Sequence, residues 1–372
     1  MSATENSISL PTELLPGDGR FGSGPSKVRT TALRAFFDVA PSYLGTSHRQ
    51  DNVRQHVSRL RSGLSALFDL PEGWEIILGN GGTTSFWDAA SFSLIESSSQ
   101  HLSFGEFSSK FVKVVEEAPH LREPEVIVSD PGSCPSPVAS QVDTYALTHN
   151  ETSTGVTATL SRPDQDGLVL VDATSAAGAI RWDLPEVDCY YFAPQKALAS
   201  DGGLWLAACS PAAVARIEAL CSSSRWIPAS LDLEIALSNS RQDQTYNTPS
   251  LATIFLAAEM VDWINESGGL GWAEDRCSHS SGIIYRWADE RSFARPFVVD
   301  SRERSPVVCT IDFEGVNADT VSAVLRANGI VDTESYRKLG RNQLRIATFP
   351  AIEPDDVEAL CACIDYVVEE LG

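Results

Sequence analysis

Two apolar runs constrain this chain more than any other feature in it. Leu168-Val169-Leu170-Val171 stops abruptly at Asp172, and Tyr190-Tyr191-Phe192-Ala193-Pro194-Gln195 stops abruptly at Lys196. Both read as buried strands. Each ends in a single charge, and the two charges are opposite in sign. Strands that end this way can aim an acid and an amine at one pocket, at the carboxyl edge of a sheet where open α/β folds bind ligands.

The surrounding pattern fits such a sheet. Strand-like runs at Trp74–Leu78, His101–Phe104, Glu125–Val128, Thr144–Thr148, Leu168–Val171, Cys189–Phe192 and Leu204–Ala208 alternate with helical or loop segments. That alternation predicts an α/β domain built on a largely parallel sheet. Residues 51–68 carry Val53, Val57, Leu60, Leu64 and Leu67 at helical spacing,. Helices are also expected over Pro211–Ser222, Thr253–Glu266 and Gly271–Ala288, with Gly268-Gly269 breaking the chain between the last two. Pro25 in Phe21-Gly22-Ser23-Gly24-Pro25-Ser26 is expected to open a helix,. From Phe297 the character changes to strand, helix, strand, helix over Val307–Phe313, Asp319–Asn328, Gln343–Thr348 and Pro354–Leu371, a small α+β unit. The expected division is an N-terminal arm at 1–20, loose to about residue 18, a large domain at 21–268 and a small C-terminal domain at 269–372.

Composition narrows the class. A net charge of −22 repels nucleic acid and anionic membranes, so neither is an expected partner,. No stretch approaches the roughly 18 apolar residues of a membrane span, and residues 1–20 lack a signal-peptide core, which predicts a cytoplasmic protein. The eight cysteines are scattered, and neither a metal site nor a disulfide framework is expected,.

Against that acidic background four local patterns carry chemistry. Gly81-Gly82-Thr83-Thr84 follows a strand and opens a helix, so its free amides and hydroxyls can hold a phosphate; a tight turn with a threonine cap explains it equally well. Asp172 alone would serve as a helix N-cap. Paired with Lys196 it suits a pyridine ring, with the carboxylate beside the ring nitrogen and the amine forming an imine with an aldehyde. The small-residue loop Ala197-Leu198-Ala199-Ser200-Asp201-Gly202-Gly203 leaves room for a bulky adduct on Lys196, and a desolvated lysine becomes nucleophilic near neutral pH,. His149-Asn150-Glu151-Thr152-Ser153-Thr154-Gly155 is either a loop touching a polar ring substituent or a surface turn. Tyr336-Arg337-Lys338-Leu339-Gly340-Arg341-Asn342-Gln343-Leu344-Arg345 places four cations in ten residues, and Ser47-His48-Arg49 adds a second cationic site. Arginine forks match carboxylate and phosphate; the alternative for each is a solvated charge or a surface ion pair, which is the plainer explanation of Arg341 and less so of Arg345.

At these residues the sequence resembles the phosphoserine aminotransferases, class V members of the fold type I pyridoxal-phosphate (PLP) enzymes. The resemblance runs from Gly19-Arg20-Phe21-Gly22-Ser23-Gly24-Pro25 through Thr46-Ser47-His48-Arg49, Asn150-Glu151-Thr152, Ala193-Pro194-Gln195-Lys196 and Tyr246-Asn247-Thr248-Pro249 to Arg337 and Arg345. It implies a fold type I transferase with a large, mainly parallel-sheet α/β domain and a smaller α+β domain, using PLP. By resemblance, Lys196 forms the imine and shuttles the substrate proton, Asp172 pairs with the ring nitrogen, Thr152 bonds the ring hydroxyl and Phe107 stacks on the ring. Gly82, Thr83 and Gln195 would hold the cofactor phosphate, joined by Asn247 and Thr248 from the neighbouring subunit of a homodimer. Arg345 would grip the substrate α-carboxylate, and His48, Arg49 and Arg337 the distal anion.

The implied reaction moves the amine of glutamate to 3-phosphohydroxypyruvate, leaving 2-oxoglutarate and 3-phosphoserine, with 4-phosphohydroxythreonine of vitamin B6 synthesis as a related product. Relatives often carry arginine at the position of Thr83 and histidine at that of Tyr336, and a loop insertion falls near Arg341-Asn342. Four alternatives stay open: an alanine–glyoxylate type transaminase, a cysteine desulfurase, a nucleotide-binding oxidoreductase, and a catalytically silent sensor on the same fold.

Overall fold

A computed structural model describes residues 8–372. Its centre is a seven-stranded sheet. The first part of the chain contributes β1 (Glu75–Asn80), β2 (Ser99–Ser103), β3 (Glu125–Val128), β4 (Thr144–Thr148), the two-residue strands β5 (Asn150–Glu151) and β6 (Val156–Thr157), β7 (Leu168–Asp172), β8 (Cys189–Phe192) and β9 (Leu204–Cys209). The main sheet has the order β1-β9-β8-β7-β4-β2-β3, and β5 and β6 form a separate hairpin. Every neighbouring pair from β8 to β3 is parallel. Only β9 runs against its neighbours, β1 and β8. The sheet is therefore largely parallel, with one reversed strand that local sequence does not reveal.

Both faces of the sheet are covered, which is why its strands read as unbroken apolar runs. Val169 and Val171 of β7, with Tyr190 and Phe192 of β8, belong to one buried cluster. Leu168, Leu170, Cys189 and Tyr191 point the other way into a second. Helices α1 (Thr30–Tyr43), α2 (Asp51–Leu67), α3 (Thr83–Ser93), α4 (Glu106–Glu116), α5 (Pro211–Cys221), α6 (Leu233–Ser240) and α7 (Leu251–Ser267) surround this sheet. Apolar residues of α3 to α6, among them Phe86, Phe111, Ile217 and Leu237, fill the second cluster. Leu60 and Leu64 of α2 and Ile254 and Val261 of α7 fill the first. Each such side chain, fully buried, contributes about 1.5–3 kcal/mol.

The chain turns at Gly268 and Gly269, both at positive φ, into α8 (Gly269–Asp289). Beyond it lie β10 (Ala294–Pro296), β11 (Val308–Phe313), α9 (Ala318–Ala327), β12 (Gln343–Ala347) and α10 (Pro354–Leu371). The three strands form an antiparallel sheet in the order β10-β11-β12.

Two expectations fail. Residues 8–20 are docked on the C-terminal unit rather than loose. Leu10 is buried, the Leu10 amide donates to Asn328 Oδ1 at 3.0 Å, and Val331 N donates to Gly19 O at 2.8 Å. Residues 1–7 lie outside the described part. Pro25 does not open a helix either, since α1 starts at Thr30. The backbone around Pro25 is committed elsewhere: Ser26 N donates to Gln195 O at 2.9 Å, so this segment crosses the end of the main sheet. Among the described residues, no helix is long and apolar enough to cross a membrane.

Candidate active site

The carboxyl ends of β1, β2, β4, β7 and β8 converge on one cavity of about 380 Å³, within the usual range of small-molecule sites. Gly82, Thr83, Phe107, Thr152, Asp172, Gln195 and Lys196 all line it. Seven of the expected site residues, scattered over 115 positions of sequence, thus share one wall-to-wall space.

Lys196 follows β8 and is 9 % exposed; its Nζ donates to the Ser23 carbonyl at 2.6 Å. Burial, with the Arg345 cation nearby, brings the amine down to about 8, against the opposing pull of Asp172 and Glu151,. Asp172 ends β7 and is 5 % exposed. Burial pushes its carboxyl up to about 6 although three donors oppose the shift. Those donors are Thr174 N at 2.9 Å and Thr174 Oγ1 at 2.6 Å, both on Oδ1, and Trp87 Nε1 at 3.1 Å on Oδ2.

The phosphate-like end is the start of α3. Its N-cap is Gly82, which has no side chain to occupy the first-turn amides,. Those amides and their positive helix end suit an anion. Thr83 Oγ1 is spent differently, lying 2.7 Å from Thr174 Oγ1. On the far side Phe107 presents its ring, with Lys196 Nζ 5.8 Å from the ring centroid. The amide oxygens of Gln195 and Asn150 are buried there without a partner. Thr152 Oγ1 donates to Ser175 Oγ at 2.9 Å, which leaves its lone pairs free to accept,. A flat ring face, an amine, a carboxylate and an anion-binding helix start, with unpaired amides between them, fit a phosphorylated aromatic aldehyde.

Arg337 and Arg345 line an adjoining hollow of about 320 Å³ that shares Gly24 and Pro25 with the main cavity. Arg345 Nη1 donates to the Thr152 carbonyl at 3.3 Å, its Nε is buried and unpartnered, and its guanidinium lies 5.2 Å from the Tyr336 ring centre. Arg341, by contrast, pairs with Asp312 and lies over Phe297, away from both hollows.

His48, Arg49, Asn247 and Thr248 do not line the cavity of their own chain. They form a separate patch, in which His48 Nδ1 and Thr248 Oγ1 lie 3.1 Å apart and Asn80 Nδ2 donates to Thr248 O at 3.1 Å. Arg49, Asn247 and Thr248 are exposed.

Sequence reasoning missed several contributors. Gly24 crosses directly over Lys196, where a β-carbon would stand 2.5 Å from Nζ. Trp87 reads as one more apolar residue of α3, and its indole N–H partner lies 85 residues away. Glu151, fully buried, accepts from Phe107 N at 3.1 Å, Ser108 N at 2.9 Å, Ser153 N at 3.1 Å and Ser153 Oγ at 2.7 Å, and so holds the start of α4. The one available signal was its place between Asn150 and Thr152 in the motif.

Comparison with known proteins adds the family. The model of the class-V aminotransferase family matches residues 124–333. The chain is 56% identical over 372 residues to the phosphoserine aminotransferase of Nocardioides sp., covering 98% of this chain and 100% of that protein. It is 53% identical over 367 residues to the phosphoserine aminotransferase of Rhodococcus jostii, covering 98% of each. The crystal structure of a phosphoserine aminotransferase from Cytophaga hutchinsonii superposes with a TM-score of 0.87, covering 95% of this chain and 100% of that one at 22% identity. A PLP-bound phosphoserine aminotransferase from Trichomonas vaginalis gives a TM-score of 0.80, covering 94% and 99% at 18% identity. These two structures share the fold.

Proposed function

The chain belongs to the class-V aminotransferases and, within them, to the phosphoserine aminotransferases, and from that premise we propose that it transfers the amino group of L-glutamate to 3-phosphohydroxypyruvate, giving 3-phospho-L-serine and 2-oxoglutarate. The observation that carries this reading is the pair of buried charges, Lys196 and Asp172, lining one cavity with the anion-binding start of α3.

Pyridoxal phosphate is the cofactor that fits. Lys196 would attach it, Asp172 face its ring nitrogen, Phe107 cover its ring and Thr152 meet its hydroxyl, with Gln195 and the amides from Gly82 onward on its phosphate. Bound there, it supplies an electron-accepting ring that stabilises negative charge on the carbon bearing the amine. A Lys196 amine titrating at about 8 is partly deprotonated near neutrality, so its Nζ can take the proton from the substrate α-carbon and return one. Arg345 is placed to orient the α-carboxylate, and Arg337 the distal anion. The contact with Gly24 and Ser23 limits where the amine can move.

The patch of His48, Arg49, Asn247 and Thr248 supports a homodimer in which each chain completes its neighbour's site with anion-binding groups. Leu33, Phe37 and Leu44 of α1 and the loop after it, with Tyr246, are exposed apolar residues in the segments flanking that patch. The family reading also favours a cytoplasmic enzyme of serine biosynthesis, with the related phosphohydroxythreonine step of pyridoxine synthesis as a second use of the same anion recognition. A cysteine desulfurase is disfavoured because, among the described residues, no cysteine lines the cavity. A glyoxylate-type transaminase has no use for two arginines in one hollow. The test is a half-reaction screen. Glutamate with phosphohydroxypyruvate should turn over far better than alanine with glyoxylate, and the reverse order would refute the assignment.

A further inference from the structure

The hydrogen bonds around Asp172 form a connected frame that nothing in the family resemblance describes. Trp87 Nε1 donates to Oδ2 at 3.1 Å. An indole nitrogen only donates, and Trp87 is 2 % exposed, so this carboxylate is the acceptor its buried N–H requires,. On the other oxygen Thr174 Oγ1 stands 2.6 Å from Oδ1 and 2.7 Å from Thr83 Oγ1. An ionised carboxylate only accepts. The Thr174 proton must therefore point to Asp172, and the Thr83 hydroxyl must donate to Thr174. Thr83 cannot then offer its hydroxyl proton to a ligand anion, so on α3 the first-turn amides are the donors left nearest that position.

Thr83 and Trp87 are four residues apart on α3 and so share one face of the helix,. We propose that Trp87 directly, and Thr83 through Thr174, are positioning residues by which α3 clamps both oxygens of Asp172 while its first turn binds the cofactor phosphate, so one helix sets the spacing between the two ends of the cofactor. The inference rests on the PLP reading above. The clamp matters because no cation forms an ion pair with Asp172 among the described residues, and a buried carboxylate without donors becomes neutral. The other titratable groups around it are Lys196, Glu151, Tyr190 and Tyr191.

The test is PLP titration of the apoprotein, followed by absorbance, as a function of pH. Trp87→Phe keeps an aromatic ring and removes the donor. It should weaken PLP binding about tenfold or more and move the acid limb of binding to higher pH, because a carboxylate with fewer donors holds its proton longer. In an Asp172→Ala background the same substitution should cost nothing further. Thr83→Val tests the second leg by the same criteria, and carries the test if Trp87→Phe does not fold. Parent-like binding and pH dependence in the folded variants, or an equal loss in the Asp172→Ala background, would overturn the clamp. A parent protein that takes up no PLP would instead overturn the transaminase reading itself, and the clamp with it.

Discussion

Gly24 and Lys196 are packed so closely that a β-carbon on the glycine would stand 2.5 Å from the lysine amine. Gly24 also holds φ at +136°, in the region that favours glycine,. Two independent constraints therefore fall on one residue over the Lys196 amine. Gly24→Ala should displace Nζ and lower kcat/KM by about a hundredfold or more, since a displacement of about 1 Å in a reacting group has that scale. Steady-state kinetics beside a circular-dichroism spectrum would check this. Parent-like turnover would show that the amine has room the packing denies it.

Glu151 should matter for stability and through Phe107. Its carboxylate accepts four hydrogen bonds from the starts of α4 and the 151–153 turn. Glu151→Ala leaves those buried donors unpaired and should cost about 3 kcal/mol or more. Urea unfolding measures the loss. A change under about 1 kcal/mol would mean that water replaces the carboxylate.

These two residues also show where sequence reading stops. The strands Leu168–Asp172 and Cys189–Phe192 were legible because burial on both faces writes an apolar run, and Lys196 and Asp172 stood out as the charges ending those runs. Seven of the residues expected at the site line one cavity. The start of helix α4 was not legible: although Phe111, Val112 and Val115 recur at helical spacing further along, Glu106-Phe107-Ser108-Ser109 is largely polar and is held by a carboxylate 43 to 44 positions away. The docking of residues 8–20 depends on pairings more than 300 residues distant, such as Leu10 to Asn328. Trp87 was visible as an apolar residue, but no local pattern tells which indole N–H meets a carboxylate.

Stability of the cofactor-free protein should depend on pH through Asp172. Its carboxyl rises from 3.8 to about 6 on folding. The folded chain thus holds a proton that the unfolded chain releases in that window. The contribution is fully present below about 3.8 and is lost as pH rises through about 6,. Asp172→Asn removes this dependence. Between pH 4 and pH 7 the stability difference should shift in favour of the Asn variant by ~2–3 kcal/mol. Lys196 acts in a different window: with its amine lowered from 10.5 to about 8, its contribution grows as pH rises between those values,. Parallel stability curves for parent and Asp172→Asn between pH 4 and pH 7 would contradict the shift.

Arg345 and Arg337 should separate by substrate. Arg345, bonded to the Thr152 carbonyl beside the cavity, is proposed to hold the α-carboxylate that every amino acid carries. Arg345→Lys should raise KM for all substrates by about 10–100-fold, the loss of a charge-assisted fork. Arg337→Ala should raise KM for glutamate and phosphohydroxypyruvate and leave slow turnover of alanine nearly untouched. Equal effects of both variants on all three substrates would contradict the division.

The most direct measurement is borohydride reduction of the PLP-loaded protein followed by peptide mapping. A single phosphopyridoxyl label on Lys196, abolished by Lys196→Ala, is the expected result. Label on another lysine, or a folded parent protein that takes up no PLP, would contradict the site at its centre.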